Sequence, residues 1–234
     1  MKKFLACLFI LAVFFGAIFY IGWTQFRVKP GKVGIVISKT HGIEEKPVIN
    51  GEFSWHWKFL LPSNASIKSF EIKPVSVVKT VTGTLPSGDS YSAIYNAGNL
   101  FDYKFTFNIT ITVSPEAIVE LYKLNKISDD ESLEGYMEAA ATTLAQLASD
   151  YVLRRASENP LFRVESLRRE EILKGVRIYK EFPELDVLEF AISESKLPDY
   201  VMYQKLREQV PDVIKPSPNQ NNANEVETDL VQEI

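Results

Sequence analysis

The sequence predicts an α+β fold: an N-terminal membrane helix, an antiparallel-rich sheet, a group of helices and a closing strand. Three observations carry this. Residues 4–23 form an uncharged apolar run. Tyr103, Phe105, Phe107, Ile109, Ile111 and Val113 alternate with Lys104, Thr106, Asn108, Thr110 and Thr112, the period of a half-buried strand. Strand signals cluster early and helical signals follow them, where a parallel βαβ fold would interleave the two.

Composition narrows the function classes. The chain has 234 residues and a formal net charge of −4, with no clustered basic block of the kind nucleic acid demands. Its single cysteine, Cys7, sits inside the apolar run, so neither an intrachain disulfide nor a cysteine-based zinc site can form. The apolar stretch follows Cys7, whereas a lipoprotein signal places it before the cleavage site.

Residues 1–3 are a basic N-terminus, and residues 4–23 (FLACLFILAVFFGAIFYIGW) are long enough for a bilayer core at ~1.5 Å per residue. A signal peptide's apolar region is about 7–15 residues and ends in small side chains. This run is longer and ends in Tyr20 and Trp23, which suit the membrane interface. An uncleaved signal anchor is expected, with a cleaved signal as the alternative. Lys2 and Lys3 precede the run, while Arg27, Lys29 and Lys32 follow it. The short basic N-terminus predicts a cytoplasmic start and an extracytoplasmic domain, periplasmic if the membrane is a bacterial inner membrane.

The domain is expected over residues 24–209. Arg27, Lys29, Pro30 and Gly31 form the membrane junction, in which Pro presets φ and Gly accepts a positive φ. Val33, Ile35 and Ile37 then alternate with Gly34, Val36 and Ser38, a strand with one mostly apolar face. Val48 and Ile49 form a short strand before the Asn50-Gly51 turn. Phe53, Trp55, Trp57 and Phe59 recur at period two. They are read either as a sheet face in the core or as membrane contacts, since Trp favours the interface. Residues 67–72 and 75–81 read as strands around Pro74, residues 85–88 as a loop, 91–95 as a strand and 102–113 as the long strand.

Ser114-Pro115-Glu116 starts a helix that reaches about Leu124: a hydroxyl cap, Pro at the first helical position, then an acid. A second helix begins near Ser128 or Asp129. Its stripe of Leu133, Met137, Ala140, Leu144, Leu147 and Tyr151 predicts close packing on another element, with coiled-coil assembly as the alternative. Residues 165–182 read as a charged helix and 188–192 as the closing strand. Leu197-Pro198 opens a last helix to about Gln209, and residues 210–234, rich in Pro, Asn and acids, read as a disordered polar tail.

Catalytic signals are sparse. His41 and His56 share no ligand spacing with other metal-binding residues. Ser87-Gly88-Asp89-Ser90 is similar to a nucleophile loop, but a serine nucleophile needs a base within hydrogen-bond reach. No glycine loop of phosphate-cradling type is present. No catalytic, cofactor or metal residue is assigned.

The serial order of motifs resembles the stomatin/prohibitin/flotillin/HflK-C (SPFH, band 7) superfamily. Residues 28–36 read V-x-P-G-x-x-G-I-V directly after the membrane segment. A Gly51-led aromatic stretch ends in Leu61-Pro62 and leads to Ile67-Lys68-Ser69-Phe70-Glu71. The long strand ending in Ser114-Pro115-Glu116 and the closing segment from Pro183 to Leu197-Pro198 complete the match over about residues 24–209. Pro183-Glu184-Leu185 departs from the Tyr-Gly-Ile common there, and no long coiled coil follows Pro211. The resemblance implies a short, non-enzymatic, membrane-anchored scaffold. Its partners would be the bilayer, other copies or a related SPFH chain, and a membrane protease under its regulation; no cofactor and no nucleic acid are implied. Two alternatives are an anchored extracytoplasmic serine hydrolase using Ser90 and an envelope ligand-binding accessory.

Overall fold

A computed structural model describes residues 2–24, 27–61, 63–159 and 161–209. The fold is α+β, with two antiparallel sheets behind an N-terminal apolar helix. The expected tail, residues 210–234, lies outside the described residues.

Helix α1 (Lys2–Gly22) is long and apolar enough to cross a membrane, and its side chains are almost wholly exposed. The first sheet is built around β1 (Lys32–Ser38). Strand β4 (Ala65–Glu71) pairs with its whole length, from Lys32↔Glu71 to Ser38↔Ala65. Two short strands, β2 (Gly42–Ile43) and β3 (Val48–Ile49), share the remaining edge, one at each end. The expectation of one apolar face on β1 is corrected. Ile35 enters the main core from one face, while Val36 packs with Val28, Val48, Phe59 and Ile67 on the other. Gly34 and Val36 looked like the solvent side only because the partners of that face lie far along the chain.

The second sheet has the order β5 (Val75–Thr84), β6 (Asp102–Val113), β7 (Leu185–Lys196). The alternation of β6 holds: Phe105, Phe107, Ile109 and Ile111 are at most 1% exposed. On the polar face, Ser76 bonds Thr110 and Thr80 bonds Thr106 across the β5–β6 pair. Strand β7 is longer than expected at both ends. Leu185 pairs with Val113 at its start, and its polar end is held by pairing to β6 and by Glu194 against Lys104 at 2.7 Å. Two register shifts bend it.

Helix α3 (Pro115–Lys123) starts as predicted, the Ser114 hydroxyl accepting from the Ala117 amide. Helix α4 (Asp130–Glu158) opens with a capping box of Asp129 and Ser132. It lies across the apolar face of β5 and β6. Leu133, Met137, Ala140 and Leu144 are buried there, and Leu147 and Tyr151 pack at the margin of the same core. The stripe is therefore internal, which overturns its alternative reading as a coiled-coil seam. Tyr151 lies so close to helix α5 (Arg169–Val176) that a Cβ at Gly175 would be 2.2 Å from its ring.

Three further expectations are corrected. Residues 91–95 are not a strand but the end of helix α2 (Gly88–Tyr95), entered through a left-handed Ser87 and buried through Tyr91. Residues 165–182 do not make one helix: a 3₁₀ turn (Val164–Ser166) precedes α5, and a left-handed Arg177 separates α5 from α6 (Ile178–Glu181). The period-two aromatics do not form a strand; they lie on an irregular loop that ends in a 3₁₀ turn (Trp57–Leu60).

Polar contacts tie the layers together. Asp130, at the start of α4, accepts from the Glu71 amide at 2.9 Å and from Lys32 at 3.3 Å, joining the first sheet to the helix. Glu184 accepts from Lys126 and from the Tyr136 hydroxyl, each at 3.2 Å, fixing the approach to β7. Arg169 donates to the carbonyls of Leu188 and Val187, on the edge of β7 away from β6. Helix α7 (Tyr200–Gln209) packs through Leu206 and Tyr203 on Leu85, Tyr91 and Phe101. There burial, with Tyr103 and Tyr203 adding to it, pushes the Tyr200 phenol up to about 12.

Leu144→Ala is expected to lower unfolding stability by about 2–5 kcal/mol through the cavity it leaves. Because the stripe is internal, the same variant should leave the association state unchanged. Denaturant titration and mass photometry of the purified full chain check the two halves.

Candidate functional site: the membrane junction

An α-helix ends with four carbonyls that have no partner inside the helix. At the end of α1 these belong to Phe19, Tyr20, Ile21 and Gly22, and every one is satisfied. The Trp55 indole donates to Phe19 at 3.1 Å and the Trp23 amide to Tyr20 at 3.3 Å. The Arg27 guanidinium donates to Ile21 at 3.1 Å, and the His56 amide to Gly22 at 2.8 Å. Two of the four donors, those of Trp55 and His56, come from a loop more than thirty positions along the chain.

Gly22 permits this closeness. A Cβ there would lie 2.3 Å from the Trp55 indole nitrogen. A short antiparallel bridge then forms between Trp23 and Trp55, and the Thr24 amide donates to the Ser54 carbonyl at 2.9 Å. Thr24 is fully buried, its hydroxyl 3.0 Å from the Ser54 hydroxyl, which in turn lies 2.9 Å from His56 Nε2. The Arg27 guanidinium stacks 4.4 Å over Phe59, and the Asn50 amide donates to the Val28 carbonyl at 2.9 Å. A buried Lys58 pairs with Glu44 beside His56. Burial lowers the His56 imidazole below its ordinary 6.5; Lys58 lowers it further, while Glu44 pulls the other way.

The predicted junction residues divide in two. Arg27 stacks on Phe59 and caps the helix. Tyr20, Lys29 and Pro30 are exposed, and Gly31 supplies the positive φ (78°) of its turn. The four aromatics also divide. Trp55 and Phe59 lock the junction from within. Phe53, stacked 5.9 Å from Phe19, and Trp57 remain 65% and 46% exposed. Gly22, Thr24 and Ser54 were not singled out from sequence, and His56 was weighed there only as a metal ligand. The one available signal was a glycine between Ile21 and Trp23 at the end of the apolar run. Ser90 lies exposed on α2, whereas His41 bonds Thr40 and His56 bonds Ser54, so the fold does not bring the serine to an imidazole.

No family model matches the chain. It is similar to an uncharacterized protein of Treponema pallidum (strain Nichols), with 29% identity over 187 residues, 78% of this chain. The chain spans 62% of the length of that relative.

Trp55→Ala removes one helix-capping donor and the ring over Gly22, at an expected cost of about 3 kcal/mol to docking. Amide exchange at residues 22–24 and 54–56, read by mass spectrometry, should accelerate. A pH effect follows from His56. With the docked imidazole below 6.5, the undocked form binds the proton first, so docking weakens as pH falls from 6.5 towards the docked value. His56→Gln should flatten that dependence in the same exchange experiment.

Proposed function

We propose that this protein is a membrane-anchored scaffold of SPFH type, which associates side to side and docks or regulates partners in the bilayer, a membrane protease among them. The observation that carries the reading is the satisfied end of α1. A span held by both its covalent link and a folded loop presents the domain to the membrane plane in one orientation. Confinement raises the effective concentration of copies, and fixed orientation removes part of the rotational cost of weak lateral contacts. The order of motifs supports the SPFH assignment, the length of α1 supports a retained anchor, and the short basic N-terminus supports a domain outside the cytoplasm.

In-membrane crosslinking with mass photometry of the detergent-solubilised full chain tests the proposal. Oligomers are expected in both. A flexible Gly/Ser insert after Thr24 should reduce them, because it frees the domain from its fixed orientation. A strict monomer with no crosslinked partner would remove the scaffold reading.

A further inference from the structure

The loop that caps α1 also carries apolar side chains the core does not use. Phe53, Trp57 and Leu61 are 65%, 46% and 49% exposed, within nine residues of chain. Phe53 and the turn that bears Trp57 stand beside the helix end, and Leu61 follows that turn directly. Phe53 stacks on Phe19 and lies 5.9 Å from Trp23, and the 3₁₀ turn bearing Trp57 packs against α1. Phe19 precedes the last helical residue by three positions, so Phe53 sits roughly 5 Å inside the end of the helix at ~1.5 Å per residue. Trp57 is held edge-on by His41, with centroids 5.6 Å apart. Its exposure is thus fixed by packing. Exposed Arg27, Lys29, Lys39 and His41 lie on the neighbouring junction and hairpin segments.

We infer that Phe53, Trp57 and Leu61 form a one-sided collar immersed in the lipid interface next to α1, with the basic junction residues at the headgroups. The collar is continuous with the exposed apolar surface of α1, which argues for lipid over a second copy: an occupant of the collar must also tolerate what surrounds the helix. Trp suits the depth, since its ring favours the boundary between acyl chains and headgroups. The collar makes a second attachment point, off the helix axis, and so sets the tilt of the domain. It rests on the reading of α1 as a retained span.

The test uses the full chain in vesicles of phosphatidylcholine and phosphatidylglycerol. Cys7→Ala removes the native thiol. Single cysteines then replace Phe53, Trp57 or Leu61 in turn, each carrying an environment-sensitive fluorophore. Phe14→Cys reports the span itself, and Asn99→Cys reports a water-facing turn. Labels at positions 53, 57 and 61 should lose fluorescence to lipids spin-labelled near the headgroup and resist an aqueous quencher, unlike the label at 99. A water-like response at all three positions overturns the collar. So does protection from both quenchers that grows with protein density, the signature of a second copy. Failure of the label at 14 to respond to lipid quenchers removes the anchor reading instead, so the two failures are distinguishable.

Discussion

The structure depends on the capping of α1. The last carbonyls of a helix have no partner inside it, and any left unsatisfied away from water costs several kcal/mol. Here a loop from the folded domain supplies part of what water would supply elsewhere. Helix end and loop therefore need each other: the carbonyls require donors, and the loop, which has little regular structure, is fixed by the helix it caps. Gly22 is the steric condition for the whole arrangement, because any side chain at that position would occupy the space of the Trp55 ring.

From that lock the order of the fold propagates through β1. The strand follows the junction closely and is buried on both faces, with Ile35 in the main core and Val36 in the small cluster under Phe59. Lys32 at its start reaches Asp130, the first residue of α4. The end of α1 is thereby tied to the long helix and, through it, to the second sheet. The path runs through packed side chains and short polar contacts.

Long periodic elements were legible in the sequence. The alternation of β6, the stripe of α4 and the caps at Ser114 and Asp129 each repeat a local physical rule many times or state it strongly. Short elements were not. Residues 91–95 carry strand-prone Tyr and Ile, yet the left-handed Ser87 and the burial of Tyr91 against Phe101 make them helical. The aromatics at 53–59 have a strand's period, but capping the helix and packing the 3₁₀ turn override it. Glu184, a departure from the resembled pattern, turned out to hold Lys126 and Tyr136, a contact between positions that sequence spacing does not relate. Gly22, Thr24 and Ser54 lay beyond reach because their roles exist only once two distant segments meet.

The guanidinium of Arg169 has one further consequence. An edge strand is a template on which identical chains can stack, and crowding in a membrane plane favours such stacking. By occupying the carbonyls of Val187 and Leu188, Arg169 takes away acceptors that an incoming strand would require. On β7 this contact stands as a guard against runaway strand addition.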